Sequence, residues 1–191
     1  MRVIGGTARG TKLQPVPGDG TRPILDRVKT SLFDILRPEL AGAKFLDLFA
    51  GSGSVGIEAL SQGAQQAVFC DLSQQAVETI KRNLKATHLE DRSQTKNRDA
   101  FSFLKNTQSA FDIIYIAPPQ YEGLWLEALL IVAERPDLLL PNARVIVQID
   151  PKEEEPVDLV SLELEDRRKY GNTLLLFFRK MPKEVSAKPD Q

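Results

Sequence analysis

The chain has 191 residues, 42% of them apolar and 27% charged, with a formal net charge of −1. That length suits one domain with a small appendage and a substantial core, and no run approaches the roughly 18 apolar residues that a membrane span needs. One cysteine, Cys70, and one histidine, His88, exclude an internal disulfide, a cysteine zinc site and a histidine-rich metal cluster.

The opening Met1-Arg2-Val3-Ile4-Gly5 lacks the long apolar core of a signal peptide, so a cytoplasmic location, or a mature organelle-stromal one, is expected. Residues 1–30 carry six basic and two acidic side chains, a local excess of +4 against −5 for the remainder. Arg2, Arg9, Lys12, Arg22 and Arg27 are therefore candidate phosphate contacts. A solvated surface loop accounts for the same charges equally well. Residues 1–23 are rich in Gly, Pro, Thr and Arg, and 2–4 and 11–13 are expected as short strands of a basic hairpin arm. Pro15, Pro17, Gly18 and Gly20 mark a loop. Beyond Thr21-Arg22-Pro23, Val28, Leu32, Ile35 and Leu36 form one apolar helical stripe, which Pro38 is expected to close.

From Lys44 onward strand and helix alternate. Strands are expected at 44–49, 67–71, 93–97, 111–116 and 144–149, the third being the poorest. Helices are expected at 54–62, from Ser73 to about residue 86, after Asp99-Ala100, and around Leu126, Leu129, Leu130 and Val132. Residues 162–169 and 173–179 read as a hairpin turning at Tyr170-Gly171-Asn172. Glu153-Glu154-Glu155 reads as a solvated loop, and Arg167-Arg168-Lys169 as a phosphate contact or an exposed strand edge. Cys70 and Trp125 read as core residues and His88 as a surface one. The pattern predicts an α/β fold with a mostly parallel sheet covered on both faces and one antiparallel strand near the C-terminus. The main domain is expected at 24–181, after the arm at 1–23, with 182–191 a polar disordered tail.

The stretch from Phe45 to Gly56 joins a buried strand, a glycine turn and a helix start, which makes a nucleotide-binding corner. Gly51-Ser52-Gly53-Ser54-Val55-Gly56 matches G-x-G-x-x-G, and Asp71 stands 20 residues past Gly51, where a ribose-binding acid is expected. This much fits an NAD(P)-dependent oxidoreductase as well as an enzyme using S-adenosylmethionine, because both cofactors carry a ribose. Two features favour the sulfonium. Asp47 precedes the turn, where a carboxylate suits a cationic methionyl group better than a pyrophosphate. The fourth strand ends in Ala117-Pro118-Pro119-Gln120-Tyr121, a stiff loop poor in N–H donors. Its outward carbonyls suit an exocyclic amine, whose lone pair must be localised before it attacks, and an aromatic ring can stack on the base.

With these motifs in place, the sequence resembles the bacterial 16S rRNA guanine-N2 methyltransferases of the RsmD type, within the class I S-adenosylmethionine-dependent, Rossmann-like fold. The resemblance runs over roughly residues 1–180. It is carried by Arg2-Val3-Ile4-Gly5-Gly6 with Arg9-Gly10, Thr21-Arg22-Pro23 with Asp26-Arg27-Val28, Leu32-Phe33, the stretch from Leu46 to Gly53, Gly56 with Glu58-Ala59-Leu60-Ser61, and Tyr170-Gly171-Asn172-Thr173. It implies that Asp47, Gly51 and Gly53 line the methionyl side, that Asp71 takes the ribose, and that Asp99 with Ala100 contacts adenine, with Phe49, Ser52 and Leu72 expected as further cofactor-binding residues. It implies a grip on rRNA by the N-terminal hairpin and a 16S rRNA or small-subunit substrate; a monomer is expected, and direct displacement of the methyl group calls for no metal. The resemblance departs at the fourth strand, where Ala117 replaces the family's Asp and Gln120 its aromatic residue, with Tyr121 one place later. Gln120 is expected to lend a side-chain oxygen and Tyr121 the stack. A cofactor-binding RNA-assembly factor without transfer is the alternative that this departure raises.

Overall fold

Segments with a period of two and segments with a period near 3.6 alternate along the chain, and they assemble as a doubly wound sheet. The computed structural model describes residues 1–18 and 24–182. Thr21-Arg22-Pro23 and the tail from 183 onward lie outside the described residues. The order is α1 (Asp26–Leu40), β1 (Lys44–Leu48), α2 (Ser54–Ser61), β2 (Gln66–Asp71), α3 (Gln74–Thr87), β3 (Ser93–Asn97), α4 (Ala100–Asn106), β4 (Phe111–Ile116), α5 (Leu124–Glu134), β5 (Leu139–Ile149), β6 (Leu162–Tyr170) and β7 (Thr173–Lys180). No helix among the described residues is long and apolar enough to cross a membrane.

The strands lie side by side as β3-β2-β1-β4-β5-β7-β6. β1 to β5 are parallel, and β7 enters antiparallel between β5 and β6. Side chains alternate across the sheet, so each strand feeds two cores. Phe45, Phe69, Ile113, Ile146 and Phe177 pack on the face covered by α1, α2 and α3. Leu46, Cys70, Ile114, Val147 and Phe178 pack on the face covered by α4 and α5, together with the buried Trp125. Strand order reverses between β1 and β4, and in such sheets ligands bind outside the carboxyl ends at that reversal.

β3 is polar throughout yet pairs with β2 over its whole length, from Ala67–Ser93 to Asp71–Asn97. It is the outer strand, and a polar, charged edge blocks pairing with other chains. Pro38 does not close α1. It sits in the last turn, and the helix continues to Leu40, which is buried. Ring geometry permits a helical φ, and burying Leu40 offsets the one missing N–H bond. Ser73 caps α3 by accepting from the Ala76 N–H, and His88 closes it, exposed and left-handed at φ 55°.

The expected N-terminal strands reduce to one bridge, Arg2 to Lys12, framed by Val3 N–H to Thr11 O and Gly10 N–H to Val3 O. The ladder stops because the next donors are used elsewhere. Ile4 and Gly5 N–H both donate to the buried Glu58 carboxylate on α2, at 2.8 to 3.1 Å. Lys29 of α1 pairs with that carboxylate at 3.1 Å, and both side chains are almost fully buried. Lys29 Nζ also donates to Arg2 O and Ser54 Oγ. The segment therefore lies flat on α2, with Val3, Ala8 and Leu13 buried. Gly6 makes the closest approach, at φ 75°, where a Cβ would fall 1.7 Å from Ser61 O. Gly6→Ala is expected to destabilise the fold by more than about 2 kcal/mol. Urea unfolding checks this, and an unchanged midpoint would contradict the packing described.

Candidate functional site

β1 runs straight into the corner, and each residue there has a local reason for its geometry. Phe49, Gly51 and Gly53 all take positive φ, at 60°, 55° and 76°. The turn is held by Ala50 N–H to Cys70 O, Gly53 N–H to Ala50 O, and Gly51 N–H to Asp71 Oδ2 at 2.8 Å. A Cβ at Gly51 would meet nothing within 4 Å, so the space over this residue is open to a ligand. A Cβ at Gly56 would fall 2.3 Å from the Phe69 ring. That glycine serves the close packing of α2 on β2, the role of the third glycine in this fingerprint.

Asp47 lies beneath the corner, 2% exposed, with Oδ2 accepting from Gly56 N–H at 2.9 Å. Burial pushes its carboxyl up to about 8. The Gly56 N–H opposes that rise and the Asp71 charge adds to it. Asp71 ends β2 half-buried, its second oxygen accepting from Ser73 N–H at 2.8 Å. A carboxylate oxygen has two lone pairs, so both oxygens can still accept from a diol. Leu72 beside it is 72% exposed, an apolar side chain with no cover on the outer side of the corner. Asp99 caps α4 through Ser102 N–H, next to the buried Ala100, and Phe49 meets Phe101 edge to face with centroids 6.0 Å apart. Ser52 closes the circle, its carbonyl accepting from Asn83 Nδ2. Cys70 is buried in the adjoining strand, its thiol raised to about 12 by burial and by Asp71 and Asp99, which leaves it unreactive.

These residues fit S-adenosylmethionine. The open glycine face, two carboxylates with spare acceptor capacity and exposed apolar side chains suit an adenosine. A buried acid beneath the turn suits a cation. They fit a pyrophosphate less well, because Asp71 adds negative charge where its own would lie and the buried acid Asp47 offers it no countercharge.

The loop after β4 stands next to this corner. Ala117 is half-buried, Pro118 is buried, and Pro119, Gln120 and Tyr121 are exposed. Tyr121, 63% exposed and at φ 64°, donates its N–H to Glu153 Oε1 at 2.7 Å. The acidic run is thus not a free loop. Asp150 and Glu153 form a capping box, Glu154 pairs with Arg167, and Glu153 anchors the Tyr121 backbone. Arg168 pairs with Asp166 on exposed β6.

A cavity of about 250 Å³ opens at the same edge. Its walls are the start of α1 (Ile24, Leu25, Arg27), the β6–β7 turn at 170–173, and two glutamines, Gln120 and Gln148. Tyr121 stands outside these walls. Gln148 Oε1 accepts from Tyr115 Oη at 2.5 Å. Tyr115 is buried, and its phenol is raised well above its usual value by desolvation and then by Asp47. Sequence reading assigned no role to Gln148, Tyr115, Lys29 or Glu58. Glu58, Tyr115 and Gln148 each carried a signal, a polar group inside an otherwise apolar strand or helix, whereas Lys29 sits in a largely polar helix and carried none. Arg2, Arg9, Lys12 and Arg27 are exposed, Arg2 pairing with Asp26 at 3.3 Å; Arg22 lies outside the described residues.

Known proteins resemble this chain over most of its length. The family model described as Conserved hypothetical protein 95 matches residues 1–179. The Bacillus subtilis (strain 168) protein YlbH, provisionally named an rRNA methyltransferase, is 36% identical over 94% of this chain and 99% of its own. Ribosomal RNA small subunit methyltransferase D of Haemophilus influenzae is 35% identical over 78% of this chain and 79% of its own. The solved structure of Escherichia coli yhhF, provisionally titled a methyltransferase, superposes with a TM-score of 0.82 at 32% identity, covering 94% and 97% of the two chains. With a match from the first residue through β7, the chain belongs to the Conserved hypothetical protein 95 family, the RsmD family of rRNA methyltransferases.

Proposed function

We propose that the protein transfers a methyl group from S-adenosylmethionine to the N2 exocyclic amine of a guanine in 16S rRNA. The observation that carries this reading is the adjacency of two openings on one sheet edge, the glycine face over Gly51 and the cavity walled by Gln120 and Gln148. Both relatives cited from Bacillus and Haemophilus bear rRNA methyltransferase names, which supports an RNA substrate.

When bound, the sulfonium supplies a methyl electrophile that the guanine amine attacks in line. Asp71 would hold the ribose, Asp99 and Ala100 the adenine, and Phe49, Gly51, Ser52 and Gly53 the methionyl side over Asp47. Ala117 has no side-chain acceptor, so the carbonyls of Ala117 and Pro118 and the Gln120 side chain would take the amine protons. Alignment in a water-poor cavity supplies most of the acceleration, and the proton leaves to water afterwards. Arg27 at the cavity mouth and the exposed Arg2, Arg9 and Lys12 would meet backbone phosphates. The partner would be 16S rRNA or a small-subunit particle, bound by a monomer in the cytoplasm.

Gln120→Ala is expected to lower the methyl-transfer rate about tenfold or more with cofactor affinity intact. Tyr121→Ala is expected to weaken RNA binding through loss of a stacking ring. Unchanged kinetics for both variants would remove these residues from the site. The reading as a whole is tested with radiolabelled S-adenosylmethionine and small-subunit particles lacking the modification, with naked 16S rRNA in parallel. Calorimetry should give S-adenosylhomocysteine binding and none with NADH. Cofactor binding without transfer to either RNA would favour an assembly factor, the reading that Ala117 supports.

A further inference from the structure

We propose that Gln148, held by Tyr115, reads the carbonyl edge of the target base and so selects guanine over adenine. The inference rests on the guanine-N2 reading above. Ile116 of β4 pairs with Val147 of β5, so the next residues, Ala117 and Gln148, are neighbours at the carboxyl edge. Gln148 lines the cavity, and its Oε1 is engaged by Tyr115 Oη. Its Nε2 makes no hydrogen bond among the described residues, which leaves two donors for a cavity occupant. Tyr115 cannot swing away, because it is buried between β1 and β5, in register with Asp47 and Ile146. Gln120, which lines the same cavity, offers the acceptor that an amine needs.

A donor and an acceptor in one cavity suit a base carrying both a carbonyl and an amine. Superposing the reacting amines shows how adenine is rejected. In guanine the ring position beyond N1 carries the O6 acceptor. In adenine with N6 at the same place, that position carries only a C–H. The Gln148 donor would then be buried unpaired, and sites built to bond a polar group reject analogues lacking it far more strongly than apolar pockets reject a changed alkyl group.

The test uses Gln148→Leu and the near-isosteric Gln148→Glu, which presents acceptors in place of the donors. Substrates are small-subunit RNA carrying the guanine mapped from the wild-type product, and the same RNA with 2-aminopurine there, which keeps the amine and lacks O6. Wild type is expected to lose about 100-fold in kcat/KM on 2-aminopurine. Both variants should lose a similar factor on guanine, add little further loss on 2-aminopurine, and bind S-adenosylhomocysteine as wild type does. Unchanged guanine kinetics in the variants, or a 2-aminopurine penalty as large in Gln148→Leu as in wild type, would overturn the inference alone. Absence of transfer to guanine N2 by wild type would overturn the underlying reading. Loss of S-adenosylhomocysteine binding in both variants would give Gln148 a purely structural part and also overturn the inference.

Discussion

Asp47→Asn is expected to weaken S-adenosylmethionine binding about 10- to 100-fold and, in the same protein, to raise stability at neutral pH. The two effects have one cause. Asp47 is 2% exposed, and its carboxyl is raised from 3.8 to about 8, chiefly by desolvation. Between those two values the folded chain keeps a proton that the unfolded chain has released. The group's contribution to stability is therefore full below about pH 4 and is lost as pH rises through about 8. Asparagine removes that titration and can still accept the Gly56 N–H. Wild type and variant should be similar near pH 4, and the variant should gain steadily up to about pH 8, by on the order of a few kcal/mol. A cation held over the turn acts on Asp47 in the opposite direction, drawing its carboxyl down and releasing its proton. Calorimetry at pH 7 in buffers of different ionisation enthalpy should show that release for wild type and its absence in the variant. Equal affinities, or stability curves that run parallel from pH 4 to 8, would mean that Asp47 is not the cofactor's counter-charge.

Much of the fold was legible because the strongest signals are local. The apolar run of β4, the glycine turn after β1 and the stripe of α1 each depend on residues a few positions apart. β3 was the weakest strand in the sequence because an outer strand has no second neighbour to demand apolar side chains, and its polarity is what its place requires. Pro38 misled because a proline stops a helix only where nothing beyond it is worth burying; Leu40 is. The acidic run misled because three adjacent glutamates look solvated until Glu153 is seen to hold the Tyr121 backbone across 32 residues. Of the candidate site, the cofactor corner was readable as a contiguous motif. The cavity was not, because Arg27, Gln120, Gln148 and the turn at Tyr170 come from four distant segments, and only the sheet order brings them together. Ala117 looked like a plain deficit in sequence. Its neighbour on β5, Gln148, places a polar side chain at the same edge, from a segment that sequence alone does not connect to it.

Glu58→Ala should be among the most damaging single substitutions in the chain, costing about 3–5 kcal/mol of a total on the order of 5–15. Glu58 is fully buried and accepts from Ile4 N–H, Gly5 N–H and Gln62 Nε2 as well as from Lys29. Removing it strands an ammonium that is 1% exposed and two backbone donors together. Lys29→Met should be milder, because the carboxylate keeps its three N–H donors and the new side chain is apolar and of similar reach. A double replacement, Lys29→Met with Glu58→Leu, removes both charges but leaves Ile4 and Gly5 N–H without their acceptor, so it should recover only part of the loss. Because the pair is buried, added salt should not change this order. Urea unfolding of the three variants checks the ranking, and amide exchange at Ile4 and Gly5 should rise with Glu58→Ala before the core opens. The consequence reaches the cofactor corner. Lys29 Nζ donates to Ser54 Oγ at the first residue of α2, directly after Gly53. If the ion pair fixes that helix start, Glu58→Ala should also weaken S-adenosylhomocysteine binding under conditions where the variant is fully folded. Undiminished binding together with fast exchange at Ile4 would confine the pair's work to the N-terminal segment.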